Sequence, residues 1–230
     1  MKRYMPLLLL LVLLSGCATT QGQQEDRTEQ VRSALLEVLM IASESIEANL
    51  HADFQLSQLL PPDSVDLLQQ TQIPRLQEHL EIWKQQVLLS FRKATLELPE
   101  LLVPYINNLT IEDPIAIMKE SNSSASDLLV ERYGQEIYEE IQNLLSLHLT
   151  ESMQTWDFIR DRYSIWVEGM VLLGKPRLSD IDENPSFHLS LLFAQTFAEQ
   201  LTKEEIYLRT TPDFQGTGSL YETLQQDTPL

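Results

Sequence analysis

The chain has 230 residues, 34 acidic and 16 basic, for a formal net charge of −18. That balance sets aside nucleic acid as a partner, since such binding rests on neutralising phosphates with Lys and Arg. It equally disfavours a surface that adheres to anionic lipid head groups through charge, while the length is ample for one sizeable core or two modest ones.

Lys2 and Arg3 precede an apolar run from Met5 to Leu14, which ends in Ser15, Gly16 and Cys17. Its ten residues fall short of the roughly 20 that a helix needs to cross a bilayer. A basic start, a short apolar core and small residues at its end match a cleaved secretory signal. The tetrapeptide Leu14-Ser15-Gly16-Cys17 resembles the lipobox of bacterial lipoproteins, in which the cysteine thiol is acylated and the chain is cut just before it. The resemblance implies a signal peptide over 1–16 and a lipidated Cys17 as the first mature residue. An ordinary signal peptide with an incidental cysteine is the alternative. Ala18 follows the cysteine where an Asp would imply retention in the inner membrane, so the resemblance implies the periplasmic face of the outer membrane. Cys17 is the chain's one cysteine, which leaves no internal disulfide to form.

Residues 18–27, ATTQGQQEDR, are polar and aperiodic. With Cys17 they read as a lipidated flexible tether over 17–27, with a reach of roughly 15–20 Å. A domain over 28–230 follows. Val31, Leu35, Val38, Ala42 and Ile46 recur at helical spacing. Leu76, Leu80, Trp83, Val87, Phe91, Ala94 and Leu98 form a longer stripe just after Pro74. Pro99 and Pro104 are expected to interrupt or kink the chain that follows. A further helix starts in TIEDPIAIM, capped by Thr110 or by Asp113 with Pro114 in its first turn. Residues 121–126, SNSSAS, read as a turn.

Ile137, Ile141, Leu144 and His148 continue the helical pattern, and Met153, Trp156, Ile159, Tyr163 and Val167 mark another helix. Residues 174–185, GKPRLSDIDENP, form the clearest loop. Phe187, Leu191, Ala194, Ala198 and Leu201 then line a helix that runs into KEEIYLR, and a short final helix is expected to carry Leu220 and Leu224. Alternating strand-like runs are absent, so the expected fold is all-α: one compact, bundle-like domain.

The run YINNLTIEDPIAIMKESNSSASDLLVERYGQEIYEEI and the closing FAQTFAEQLTKEEIYLRTTPDF resemble the bacterial lipoprotein family called domain of unknown function 4197, over about residues 75–225. Arg209, Thr210 and Pro212 stand at the family's Arg-Thr-x-Pro turn. The chain departs from the family's pattern at LLPPDSVDLLQQTQIPRL, where a glycine-rich loop is often found, and at Gln215, Gly216 and Thr217. The resemblance implies an all-α fold and an envelope location, and it carries no activity.

Candidate chemistry is thin. His51, His79, His148 and His188 begin no H-E-x-x-H and follow no Glu at three residues, so the helical di-metal pattern fails. Asp180, Asp182 and Asn184 have the spacing of a calcium loop, but Pro185 stands where its glycine belongs and Leu191 where its last Glu belongs. A weaker cation site and a solvated acidic loop both remain open there. Asp157 and Asp161 with Arg160 and Arg162 read as intrahelical salt links, and Glu136, Glu139 and Glu140 as a solvated face. Nucleophile elbows, phosphate loops and C-x-x-C pairs are missing from the sequence.

Trp83, Phe91, Trp156, Tyr163 and Trp166 read either as core or as the lining of an apolar groove. No catalytic residue, metal or cofactor is assigned. The expectation is a non-enzymatic lipoprotein attached to the membrane by acylated Cys17, which binds an envelope protein or supports envelope assembly. A carrier that holds a lipid or other apolar ligand between its helices is the second reading, with an enzyme the least favoured.

Overall fold

The periodic stripes fold as helices because each can bury one face only against another. The computed structural model describes residues 5–46 and 54–211, with side chains from Glu25 onward. Seven α-helices follow in chain order: α1 (Met5–Ser45), α2 (Leu56–Leu59), α3 (Leu76–Asn107), α4 (Pro114–Glu120), α5 (Ser124–His148), α6 (Thr150–Leu172) and α7 (Ser186–Thr210). A 3₁₀ segment, Pro62–Gln69, lies between α2 and α3. Among the described residues there is no strand, so the all-α expectation holds. The Cys17 side chain, His51, Pro212 and the expected helix at Leu220 and Leu224 lie outside the described residues.

Helices α1, α3, α5 and α7 close a ring, each packed on the next and α7 back on α1. Neighbours run antiparallel. Arg32 on α1 donates to the Ile111 carbonyl beyond the end of α3, Tyr105 on α3 stacks on Tyr133 early in α5, and Glu205 late in α7 meets the start of α5. α6 prolongs α5 past a break at Leu149 and packs along the first half of α3. At the break, the Ser90 hydroxyl of α3 donates to the His148 carbonyl at 2.8 Å, giving a partner to a group the interrupted ladder leaves.

One continuous core fills this frame, from Val31 in α1 to Leu208 in α7. Val31, Leu35, Val38, Ala42 and Ile46 are all buried, as are all seven expected positions of the α3 stripe. In the stretch read as a tether, the backbone belongs to α1, and Glu25, Asp26 and Arg27 are exposed.

Three local expectations need correction. α3 does not stop or break at Pro99 or Pro104 but runs through both. Each proline removes one ladder bond, yet Leu98, Leu102 and Ile106 keep their turn-by-turn burial across them. Pro104 and Glu100, whose carbonyl loses its donor, both face water. The turn at 121–126 is shorter than expected, because Ser124, Ala125 and Ser126 already belong to α5. In α7 the buried stripe is Leu189, Phe193, Phe197, Leu201 and Leu208, whereas Phe187 and Leu191 are exposed. Asp113 caps α4 by accepting from the Ala116 amide at 3.0 Å, with Pro114 at its first position.

Residues 174–185 form a strap without regular structure, laid over α6. Trp156 Nε1 donates to the Asp182 carbonyl at 2.9 Å, and the Tyr163 hydroxyl donates to the Ser179 carbonyl at 3.0 Å. The Asp182 amide donates to Ser64 Oγ in the 3₁₀ segment at 3.2 Å.

Candidate functional site

The aromatic residues that read either as core or as the lining of a groove are placed in the core. Trp83, Phe91, Trp156 and Tyr163 are buried. Trp83 and Trp156 meet at 4.9 Å between ring centroids, and Phe91 meets Phe193 at 4.9 Å and Phe54 at 5.7 Å. Trp166 is half-buried, 6.2 Å from Tyr163. Rings in such contact pack on one another in the core between α3, α6 and α7.

Among the described residues, an open apolar site lies between α5 and α7. Leu129, Ile137 and Ile141 of α5 and Phe197 and Leu201 of α7 form its floor, showing the outer side of core residues. Its walls are Val130, Leu191, Ala194 and Ala198, with Gly134 beside them. The cause of the opening is side-chain size. Gly134, Ala194 and Ala198 occupy positions where two packed helices would otherwise interdigitate larger groups. A Cβ on Gly134 would meet the Val130 Cγ1 at 3.5 Å, an ordinary contact, so the gap is not forced by backbone crowding. The groove encloses about 240 Å³.

Towards the start of α5 it continues, through Val130 and Ala198, into a shallower depression of about 620 Å³. Asp127, Glu131, Glu199 and Lys203 border that depression. The apolar floor therefore has a mainly acidic rim. Tyr138 stands at the other end, its hydroxyl buried without a partner and adjacent to the groove. The Leu191, Ala194 and Ala198 stripe, read from sequence as the buried face of α7, is in fact this second apolar face.

Beyond the depression lies a buried ion pair that the sequence reading missed. Glu205 and Arg209 are both fully enclosed, with Arg209 Nη1 2.9 Å from Glu205 Oε1. The carboxylate accepts from the Ala125 and Ser126 amides at 3.2 and 2.7 Å, so α7 supplies the cap for the first turn of α5. Arg209 Nη2 donates to the Met118 carbonyl near the end of α4 at 2.7 Å. One pair thus fixes α4, α5 and α7 together. Its sequence signal is an ordinary Glu–Arg spacing of four, which reads as surface by default. The small residues of SNSSAS were the other clue, since they let a carboxylate reach the backbone. Arg209, singled out as part of an Arg-Thr-x-Pro turn, works here as a core cation.

The remaining candidates are apart from one another. His79 stacks edge-on against Phe158 at 4.6 Å, His148 Nε2 lies 2.9 Å from Glu97 Oε1, and His188 Nε2 lies 2.9 Å from the Gln58 carbonyl. Asp157 and Asp161 are exposed and flank Arg160. In the acidic loop, Asp182 and Asn184 spend one side-chain oxygen each on backbone amides two residues on, and Asp180 pairs with Arg177. Among the described residues, no group of three His, Cys, Asp or Glu side chains is placed to hold a metal ion.

Burial holds the Tyr163 hydroxyl above the ordinary tyrosine range, with Asp66 and Asp180 adding to the effect. Tyr105 is raised in the same way, first by desolvation and then by Glu140, Glu136 and Glu139. Tyr105 stacks on Tyr133 of α5, and Tyr163 lies under the strap.

No family model, curated protein or solved structure matches the chain.

Proposed function

We propose that the chain is a non-enzymatic lipoprotein of the outer membrane, held by acylated Cys17 and facing the periplasm, whose α5–α7 groove receives an amphipathic helix of an envelope protein. The observation that carries the binding role is the groove itself, apolar along its floor and open along its length. A docked helix lays a stripe of side chains into such a trough. The rim of Asp127, Glu131 and Glu199 against one Lys203 favours a helix with Lys or Arg along its edges. The groove of about 240 Å³ runs on into the depression of about 620 Å³, a shallow open trough that suits a protein segment laid along it. The lipobox resemblance of Leu14 to Cys17 supports the anchor, and an all-α fold is what the suggested family resemblance implies.

The test is in-cell photo-crosslinking from position 195 at the groove, with position 100 on the far side of α3 as control. A discrete protein adduct at 195 that is missing at 100, and that Ala198→Trp removes, is the expected result. A lipid adduct at 195 would transfer the site to an apolar carrier, and equal adducts at both positions would sink the groove. Cys17→Ser should abolish lipid labelling and release the chain from the membrane; retention of both would defeat the anchor.

A further inference from the structure

We infer that the helix received by the α5–α7 groove carries its Lys or Arg in one terminal turn, seated over the start of α5, and is uncharged along the roughly three turns that follow. This deepens the helix-docking reading, on which it rests, by fixing which part of the occupant lies where.

The trough changes character along its length. Among the described residues, no charged side chain lines the groove proper, and its polar side chains are Tyr138 and Gln195. The depression that continues it is bordered by Asp127 and Glu131, one turn apart on α5, and by Glu199 and Lys203, one turn apart on α7. All four are exposed. Asp127 accepts one bond from the Ser123 hydroxyl, at 2.9 Å. None of the three carboxylates joins an ion pair among the described residues. Two nearby charges leave the pattern intact. Arg132 leaves α5 about 100° round from Glu131 and is no part of the lining. Glu139 is held by the Gln135 side-chain amide at 2.8 Å.

Position along the helices sets the register. α5 begins at Ser124, less than one turn before Asp127, so its wall ends at the acids. There the two helices are bonded together, Glu205 to the Ala125 and Ser126 amides and the Ser126 hydroxyl to Thr202 Oγ1 at 3.4 Å. From Asp127 to Ile141 the α5 wall rises about 21 Å, the length of a helix of about 14 residues. About 6 Å of that runs beside the acids and about 15 Å beside uncharged lining.

An occupant with evenly spread bases would set most of them against uncharged wall, where a Lys loses water and gains no carboxylate. Bases confined to the end turn meet three carboxylates and one ammonium. The net charge of −18 attracts any cationic helix, so it does not choose between the two arrangements. The local placement does.

The experiment is fluorescence anisotropy with the purified chain beginning at Ala18, which keeps every core side chain from Val31 onward. Two synthetic peptides of about 14 residues share one composition and one stripe of Leu and Ala at helical spacing. One carries all its Lys in a terminal turn, and the other spaces them along both flanks. Equal peptide charge cancels the pull of the chain as a whole. The end-clustered peptide should bind about fivefold more tightly at low salt. Glu131→Gln with Glu199→Gln should bring the two peptides within about twofold. A photoreactive group at the basic end should mark residues 127–131 or 199–203, and one at the apolar end residues 138–141 or 191–195. Equal affinities for the native chain, or the two marks exchanged, would overturn the charge placement, while binding that Ala198→Trp abolishes would keep the groove as a helix site. Binding of neither peptide, or binding that Ala198→Trp leaves intact with circular dichroism unchanged, would overturn the groove and the charge placement together.

Discussion

The α3–α6 side and the α5–α7 side are both built from long helices carrying apolar residues on more than one face, yet one is filled and the other is open. Between α3 and α6, Trp83 and Trp156 meet at 4.9 Å and exclude solvent. Between α5 and α7, Gly134, Ala194 and Ala198 stand at the facing positions, and a groove of about 240 Å³ remains. Apolar content is not what differs. Side-chain volume at the contact decides whether an apolar stripe becomes core or a binding surface.

The sharpest way to break that contrast is to empty the filled side. Trp156→Ala should cost about 3–5 kcal/mol, since a large buried ring leaves a cavity that the α3 helix cannot close. The loss of its bond to the Asp182 carbonyl should also loosen the strap. Urea unfolding would measure the first effect and proteolysis within 174–185 the second. A loss under about 1 kcal/mol would mean that this side is no better packed than the other.

The polar end of the α5–α7 contact comes next. Glu205→Gln leaves Arg209 charged and enclosed without a counter-ion, at a cost of about 3 kcal/mol. Replacing the pair together, Glu205→Leu with Arg209→Met, should recover most of that. If the single and double variants lose equally in the same unfolding assay, the amide cap on α5 matters more than the charge.

What the sequence made legible follows the same division. The α1 and α3 stripes were readable because large residues at helical spacing have a single outcome, burial. The α7 stripe was read in the wrong phase. That helix carries two apolar faces, and Leu191, Ala194 and Ala198 look like core until the neighbouring helix is known to leave them uncovered. The aromatic residues were placed on the right helices, but whether rings stack or line a void depends on crossings that no local pattern encodes. Glu205 and Arg209 were invisible for a related reason. Burial of that pair depends on the end of α4 and the start of α5, which lie about 80–90 residues earlier in the chain.

A smaller effect, opposite in sign, is expected on the open side. Gly134→Ala should stabilise the fold by about 0.5–1 kcal/mol, because alanine loses less backbone entropy in a helix. The added methyl finds an ordinary 3.5 Å contact with Val130. The same substitution narrows the groove, so crosslinking from position 195 should fall as thermal stability rises. A destabilised Gly134→Ala would show that the gap is held open by strain.

The last effect tests the strap by pH. Burial raises the Tyr163 pKa in the folded chain above its unfolded value of about 10. The folded state binds this proton more tightly, so its contribution is fully present below the unfolded pKa. It is lost as pH rises through the folded pKa, because ionisation is then needed in an enclosed place beside Asp66 and Asp180. Unfolding free energy should therefore decline more steeply above about pH 10 in the native chain than in Tyr163→Phe, which has no proton to lose. At neutral pH the variant should lose about 1 kcal/mol for the missing bond to the Ser179 carbonyl. Parallel pH profiles for the two chains would show that Tyr163 reaches water, and that the strap lies on α6 more loosely than its hydrogen bonds to Trp156, Arg160 and Tyr163 require.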